Sequence, residues 1–393
     1  MIPASDPRVD AALALAHALR ANPQPAPQFT RAVRAFAIGD PQTSAARFFG
    51  ALATHGLLAP TGWLRHDVRL VALGDYFDYH VPEREAARVE GVLILTWLAA
   101  HSPAQVTVIA GNHDLSRVME LVSIDDARFR EAADLARTIY DLPEAARDAA
   151  TAEFRRRFPE LATTGYAGRD YNAFTVEQRQ LVQRLLLDGR LALASCERAT
   201  DGTGVLANHA GVTGRQLDQL GLADSRDPAT LAAALEARLA AAVAAVADDW
   251  RARKPTPLSL EPLHVAGSAG MEGGGLLYHR PADPDRPGAD PAWEREAHAP
   301  RRFDPRELPR GLVQVIGHTG HSKAWKELAR WRDPGMDGER GGLRTLQVTA
   351  DGAVTYRRGI HRGGRGDAIV WMIDPEMHYV ASPADVALLE LAP

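Results

Sequence analysis

The sequence of 393 residues contains a single cysteine, Cys196. One thiol cannot form an intramolecular disulfide, which favours a reducing compartment, and the lack of thiolates argues against a structural zinc site. We interpret Cys196, which follows the apolar residues 191–194, as a small buried hydrophobe. The chain is therefore expected to fold without a disulfide.

The sequence also lacks a recognisable leader segment and long apolar runs. Residues 9–20 have the pattern of an amphipathic helix rather than that of a basic region followed by an apolar one. No uninterrupted apolar stretch reaches the length that a membrane-spanning helix needs. We therefore predict a cytoplasmic protein without a membrane partner.

A strong charge of either sign is absent as well. The chain has 45 Lys and Arg against 50 Asp and Glu, a formal net charge of −5. This balance offers no general attraction to nucleic acid, so charge indicates no nucleic-acid partner. The content of 46% hydrophobic and 24% charged residues is typical of a folded globular protein.

Five short apolar runs end at polar residues in a common pattern. Residues 69–73 form such a run, which stops at Gly74 and is followed at once by Asp75. Runs of this kind predict buried strands, and open α/β sheets bind ligands beyond the carboxyl ends of their strands. We therefore expect the functional site there. The five polar segments are Gly39-Asp40-Pro41-Gln42, Gly74-Asp75-Tyr76-Phe77-Asp78, Gly111-Asn112-His113-Asp114, His209-Ala210-Gly211 and Gly317-His318-Thr319.

These segments combine carboxylate, amide and imidazole groups, which suit a divalent ion such as Mn, Fe, Zn or Mg. Each residue alone has an ordinary structural alternative. Asp75 and Asn112 are residue types that favour turns, and His209 and His318 are compatible with buried histidines bonded to the backbone. The recurrence of the pattern in five ordered segments favours a metal site.

The remaining pattern predicts one large α/β domain with helical insertions. Residues 1–30 are expected to form an N-terminal helix and linker before a domain over residues 31–393. Helical periodicity predicts an insertion at about 115–190, and a second helix and loop insertion at about 213–310. Strands are also expected in the tail, at residues 343–348, 354–358 and 368–373.

The ordered set of five segments resembles the calcineurin-like metallophosphoesterases. Within that superfamily it is most similar to the serine/threonine phosphatase and diadenosine-tetraphosphatase branch. The resemblance implies a four-layer α/β/β/α sandwich of two mixed sheets, with a helical insertion. It also implies two divalent metal ions, with Mn favoured, and hydrolysis of a phosphate monoester by a metal-bridging hydroxide.

The same resemblance implies a role for each matching residue. Asp75 would bridge the two ions, because a carboxylate can give one oxygen to each. His113 would protonate the leaving oxygen, and Asp78 would orient its imidazole. The metal ligands implied are Asp40 and Gln42 on the first ion, Asn112, His209 and His318 on the second, and Asp75 on both.

Two positions depart from the pattern of that family. Gln42 stands where histidine is usual, which should weaken the first metal site or favour a harder ion. Tyr79 stands where the protein phosphatases have a phosphate-binding arginine, so a bidentate contact is lost. Arg280 is a candidate replacement, since residues 277–281 resemble an aromatic-x-Arg segment of related bacterial phosphatases; the alternative for Arg280 is a surface salt bridge.

Four further residues are expected near the site. Tyr79 and His80 follow Asp78 directly and are candidates to contact substrate. Asp114 and His321 are candidates to contact the metal ligands and hold them in position. The alternatives are a helix N-cap for Asp114 and a plain structural role for His80 and His321.

The sequence therefore predicts a metal-dependent phosphatase that acts on a small phosphorylated substrate or a phosphoprotein. A phosphodiesterase or nucleotide pyrophosphohydrolase with the same site is the first alternative. The second is a non-catalytic binding scaffold that has lost one metal through Gln42.

Overall fold

In the described part of the chain, short strands form two larger mixed sheets and two small sheets of two strands each. The computed structural model describes residues 6–268, 270–286 and 299–393. The strands are Arg34–Ile38 (β1), Val68–Ala72 (β2), Val106–Val108 (β3), Ala194–Arg198 (β4), Gly204–Asn208 (β5), His264–Val265 (β6), Gly274–Gly275 (β7), Arg280–Pro281 (β8), Arg302–Phe303 (β9), Val313–Ile316 (β10), Arg344–Val348 (β11), Val354–Arg358 (β12), Ala368–Met372 (β13) and Leu389–Leu391 (β14).

Helices separate and flank these strands. They are Pro7–Ala21 (α1), Ala45–Thr54 (α2), Arg84–Ala100 (α3), Asn112–Leu115 (α4), Asp126–Tyr140 (α5), Glu144–Arg157 (α6), Val176–Leu187 (α7), Gly214–Gln219 (α8), Pro228–Arg251 (α9) and His321–Glu327 (α10). Side-chain caps explain several of the starts: Asp6 accepts the backbone N–H of Arg8, and Thr175 forms a capping box with Gln178.

The strand order brings the predicted strand ends to common edges. The first sheet has the order β14-β1-β2-β3, with β1, β2 and β3 parallel. The second has the order β12-β11-β13-β10-β5-β4, with β13, β10 and β5 parallel. Parallel neighbours end at the same edge of a sheet, so each sheet presents three strand ends together.

The two faces of β1 contribute to different parts of the core. Phe36 and Ile38 belong to a hydrophobic cluster that also contains side chains of α1, α2 and α3. Ala35 and Ala37 belong to a second cluster, which includes Val315 and other side chains of the second sheet. The protein is therefore of the mixed α/β class, as the sequence predicts, with a hydrophobic cluster shared by its two larger sheets.

Two features of the strands differ from the sequence expectations. The strand β14 was not predicted; it pairs antiparallel with β1 and places Leu389 and Leu391 in the core. The interpretation of Cys196 as a buried hydrophobe is wrong. Cys196 is exposed because it lies on β4, at an edge of the second sheet, where alternate side chains point away from the core.

The predicted helical segments contain helices. Residues 115–190 include α5, α6, α7 and a π-helical turn at Tyr166–Asp170. Residues 213–310 include α8, α9 and the two-residue strands β6 to β9, while residues 287–298 of this region lie outside the described residues. The division into a domain and two insertions stays a prediction.

The sequence has no uninterrupted apolar stretch of membrane-spanning length, but the helix α9 has the length and the overall composition of one. Of the helices in the described ranges, it is the one that is long and apolar enough, by length and composition, to cross a membrane. In this structure Leu231, Leu235 and Leu239 pack into the main core cluster. The carboxylate of Glu236 also accepts the backbone N–H groups of residues 193 and 194. A cytoplasmic location stays a prediction.

Candidate active site

A cleft of about 660 Å³ lies at the carboxyl ends of the parallel strands from both sheets. It brings together most of the residues that the sequence analysis selected. Those that line it are Asp40, Gln42, Asp75, Asp78, Tyr79, His80, Asn112, His113, Arg280 and His318. His209 is buried against this lining, at hydrogen-bond distance from Asn112 and His318. Asp114 and His321 are buried and are described below.

The ends of β2 and β3 approach each other closely because both carry glycine. Gly74 and Asp75 have left-handed φ values of 95° and 58°, and a Cβ at Gly111 would lie 2.2 Å from Oδ1 of Asp75. Asp114 fastens the two loops together, since its carboxylate accepts the N–H groups of Gly111, Asp75 and Tyr76 at 2.7, 2.8 and 3.0 Å. Asp114 is thus the third residue of α4, and its alternative as the N-cap does not hold.

Three side chains form a potential metal site: the ligand atoms of Asp75, His209 and His318 lie within 4.8 Å of one another. Nδ1 of His209 is 2.7 Å from the carbonyl oxygen of Leu73, and Nε2 of His318 is 2.9 Å from that of Tyr278. A carbonyl oxygen can only accept, so each of these ring nitrogens carries a hydrogen. The other two nitrogens, Nε2 of His209 and Nδ1 of His318, face each other at 3.1 Å.

This arrangement of nitrogens fits a metal ion. Two lone pairs at that distance repel each other unless a proton or a cation lies between them. Burial lowers the pKa of His209, but the charge of Asp75, the hydrogen bond to its carboxylate, the charge of Asp40 and the bond to the carbonyl of Leu73 together raise that pKa to about 9, which favours a positive charge at this position. Oδ1 of Asp75 and Oδ1 of Asn112 lie 3.4 and 3.2 Å from Nε2 of His209. Two imidazoles, a carboxylate and an amide oxygen, with the outer ring nitrogens held by carbonyls, form a donor set that divalent transition metals prefer.

Asp40 and Gln42 adjoin this cluster from the end of β1. Both carboxylate oxygens of Asp40 accept the backbone N–H of His318, at 2.9 and 2.8 Å. Burial and the charge of Asp374 raise the pKa of Asp40 well above its usual range. The amide nitrogen of Gln42 donates to the carbonyl oxygen of Phe77 at 3.3 Å, so its oxygen is the atom suited to bind a metal. A first ion at Asp40 and Gln42 stays a prediction.

His113 and Asp78 form a hydrogen-bonded pair that suits a proton donor, His113, and the residue that positions it, Asp78. Nδ1 of His113 lies 3.0 Å from Oδ2 of Asp78, and Nε2 lies 3.9 Å from Oδ2 of Asp75. Asp78 is itself held by two further groups, the guanidinium of Arg117 at 2.5 Å and the N–H of Ala173 at 2.9 Å. With Nδ1 engaged, Nε2 is the nitrogen available to a substrate in the cleft.

Two of the cationic side chains that line the cleft are Arg280 and Lys323. Neither Arg280 nor Lys323 makes an ion pair in the part of the chain that the structure describes, so the surface salt bridge considered for Arg280 is not found there. Burial lowers the pKa of Arg280. The charge of Arg280, followed by burial, lowers the pKa of Lys323 to about 8. Two cations that disfavour each other's charge in this way would be stabilised by an anion.

The remaining predicted residues differ in their surroundings. The hydroxyl of Tyr79 donates to the carboxylate of Glu90 at 2.6 Å, so its ring rather than its hydroxyl faces the cleft. His80 lies on the cleft with its ring 5.1 Å from that of His378. His321 is buried beside Tyr356 and Trp325 and does not belong to the cleft lining.

Several cleft residues were missed by the sequence analysis. Asp374 follows β13 in the same way that Asp75 follows β2, so the strand-end pattern contained the signal for it. Burial and the charge of Glu376 raise the pKa of Asp374 to about 6. No local pattern marks Lys323, which lines the cleft, or Arg117, which is buried and pairs with Asp78, because each reaches its position only through the packing of distant segments.

Comparisons with known proteins add little. No protein-family model matches the chain, and no curated protein matches it at a significant level. The structure of a cold-active protein tyrosine phosphatase is similar at 16% identity, over 76% of this chain and 71% of that one, with a TM-score of 0.31. The structure of a point mutant of a cold-active protein tyrosine phosphatase is similar at 13% identity, over 76% of this chain and 72% of that one, with a TM-score of 0.30. Similarity at this level does not establish a common fold or activity.

Proposed function

We propose that this protein is a calcineurin-like metallophosphoesterase that hydrolyses phosphate monoesters. The observation that carries the proposal is the pair of imidazole nitrogens of His209 and His318, 3.1 Å apart beside the carboxylate of Asp75. The order of the five strand-end segments supports it, as does the position of these residues at the edges of two mixed sheets. A cytoplasmic enzyme acting on a small phosphorylated molecule or a phosphoprotein fits this proposal.

The four-layer sandwich is part of the same proposal. The cluster that contains side chains of both larger sheets supports their packing face to face. The helices α1, α2 and α3 share a cluster with the other face of the first sheet. The helix α10 shares a third cluster with the outer face of the second sheet, through Ala324 and residues such as Leu346 and Val370.

In this proposal the protein's own residues divide the work of catalysis. Divalent ions, with Mn favoured, held by Asp75, His209, His318 and Asn112 and by Asp40 and Gln42, would supply Lewis-acid stabilisation and activate a water molecule. Arg280 and Lys323 bind the phosphoryl oxygens through charge-assisted hydrogen bonds.

The leaving oxygen of the substrate receives its proton from Nε2 of His113. The donor is the imidazolium form of His113, in which both ring nitrogens carry a proton: Asp78 accepts from Nδ1 and compensates the positive charge, and Arg117 holds Asp78 in place. Asp114 keeps the loops after β2 and β3 in register, so that Asp75 and His113 stay on the same side of the cleft.

A monoester is favoured over a diester because two of the cations that line the cleft, Arg280 and Lys323, make no ion pair among the described residues. A dianionic monoester has one more charge to compensate than a diester, and Arg280 and Lys323 together supply that compensation. They also offset the loss of the arginine that Tyr79 replaces.

Turnover of two chromogenic esters tests the proposal. Phosphomonoester and phosphodiester hydrolysis would be measured with purified protein, with added Mn, without it, and after chelation. We expect Mn-dependent hydrolysis with the monoester preferred, and loss of activity in His209→Ala. Full turnover by the chelated protein would overturn the metal mechanism, and a preference for the diester would support the phosphodiesterase alternative.

A further inference from the structure

Four aromatic rings that the proposed mechanism does not use lie together on the cleft. They belong to Tyr79, His80, His378 and Tyr379, which all line it. The ring of His378 lies 5.2 Å from that of Tyr79 and 5.1 Å from that of His80, with interplanar angles of 30° and 36°. The ring of Tyr379 stands at 88° to that of His378, with 5.0 Å between centroids. Three of the rings, those of Tyr79, His378 and His80, thus form a tilted stack, and the fourth, that of Tyr379, stands perpendicular to the ring of His378.

The perpendicular ring is the one most open to a ligand. Tyr379 leaves 53% of its surface exposed, although it belongs to the cleft lining. The guanidinium of Arg340 lies 5.2 Å from its ring centroid. Aromatic pairs prefer offset-stacked or edge-to-face arrangements, so the exposed part of the Tyr379 ring can take one more planar ring in such a geometry.

Two of these rings lie close in sequence to the residues proposed to act on the leaving group, and not to those proposed to bind the phosphoryl group. Tyr79 and His80 follow Asp78, which holds the imidazole of His113. Arg280 and Lys323, the cations proposed to bind the phosphoryl oxygens, belong to other segments of the lining. Tyr79 and His80 therefore directly follow, along the chain, the residue that holds the proposed proton donor.

We infer that these four rings form a binding site for a planar aromatic ring carried by the leaving group of the substrate. The inference rests on the proposed function and narrows it to phosphate monoesters with an aromatic leaving group. Stacking and edge contacts of the bound ring with Tyr379 and its neighbours would hold the leaving oxygen near His113.

The test compares benzyl phosphate with cyclohexylmethyl phosphate. Both are esters of primary alcohols with leaving oxygens of similar basicity and rings of similar size, but only one ring is planar and aromatic. Plain hydrophobic burial favours the cyclohexyl ring, so a preference for benzyl reports aromatic contact. We expect kcat/KM to be about two- to twelve-fold higher for benzyl phosphate, the range given by the strength of an aromatic pair.

Variants locate the preference within the protein. Tyr379→Leu should abolish it, and Tyr379→Phe should keep it. Tyr140→Leu is the matched control, because Tyr140 is 41% exposed on α5 and does not line the cleft. Loss of the preference in Tyr140→Leu, or its survival in Tyr379→Leu, would overturn the assignment.

Binding separates this inference from the proposed function. Calorimetry with benzylphosphonate and cyclohexylmethylphosphonate, which cannot be hydrolysed, would be run on the same variants without added metal. If neither ester is hydrolysed but benzylphosphonate binds more tightly through Tyr379, the aromatic site stands and the proposed function fails. If both esters are hydrolysed equally well by the wild type, the aromatic site fails and the phosphatase proposal stands. If neither ester is hydrolysed and neither phosphonate binds, both the aromatic site and the proposed function are overturned.

Discussion

The contact between Asp78 and His113 allows a prediction with two independent measurements. Asp78 accepts hydrogen bonds from His113, from Arg117 and from the N–H of Ala173. In Asp78→Asn only one oxygen remains as an acceptor, so at least one donor loses its partner whichever way the amide is turned. The guanidinium of Arg117 is fully buried, and breaking a buried pair on one side costs about 3–5 kcal/mol.

The effect on activity follows from the proton transfer. A positioned general acid contributes about 10²–10⁴-fold to the rate, and Asp78 acts only through His113. We therefore expect Asp78→Asn to lower kcat for a chromogenic monoester by about 10²-fold or more at fixed Mn. His113→Asn should lower kcat at least as much, with a smaller loss of stability, because Arg117 keeps its carboxylate.

The double variant distinguishes a shared role from separate ones. If Asp78 acts through His113, Asp78→Asn combined with His113→Asn should be no slower than the worse single variant. Unfolding by urea gives the stability of each protein, and steady-state turnover gives kcat. Losses in kcat that multiply, or an Asp78→Asn protein as stable as the wild type, would refute the assignment of Asp78.

Three further predictions concern the metal, the substrate and the fold. Gln42→His should lower the Mn concentration at half-maximal activity, because imidazole is the better ligand; an unchanged midpoint would show that Gln42 is not a ligand. Arg280→Ala and Lys323→Ala should each lower kcat/KM for a monoester by about ten- to a hundred-fold, the equivalent of a lost charge-assisted contact, and for a diester by less; equal losses would contradict their role. Burial lowers the pKa of His101 from 6.5 to about 4, so the stability that it contributes is complete above its unfolded pKa and is lost as the pH falls through the folded one. Between about pH 7.5 and pH 5 the wild type should lose about 2 kcal/mol more than His101→Gln in urea unfolding, and parallel losses would argue against a buried neutral His101.

Local patterns were sufficient to predict the strands that carry the site. The ends of β1, β2, β3, β5 and β10 could be found because an apolar run followed by glycine or a polar residue is a local signal. The same signal is present after β13, at Asp374, although the family resemblance assigns no role to that position.

Other features depend on contacts between segments distant in sequence. Arg117 reaches Asp78 only after α4 has been placed by the loop of β2, and Lys323 approaches Arg280 across the cleft. The short strand β14 gains its partner, β1, from the opposite end of the chain. The exposure of Cys196 depends on which face of β4 meets the core, which periodicity alone does not decide.

The central claim is that Asp75, His209 and His318 hold a divalent metal ion. Anomalous X-ray scattering at the Mn absorption edge, from crystals of active protein grown with Mn, tests it most directly. We predict a peak within coordination distance of a carboxylate oxygen of Asp75, Nε2 of His209 and Nδ1 of His318, and its loss together with activity in His209→Ala. Crystals of fully active protein without a peak at that position would contradict the claim.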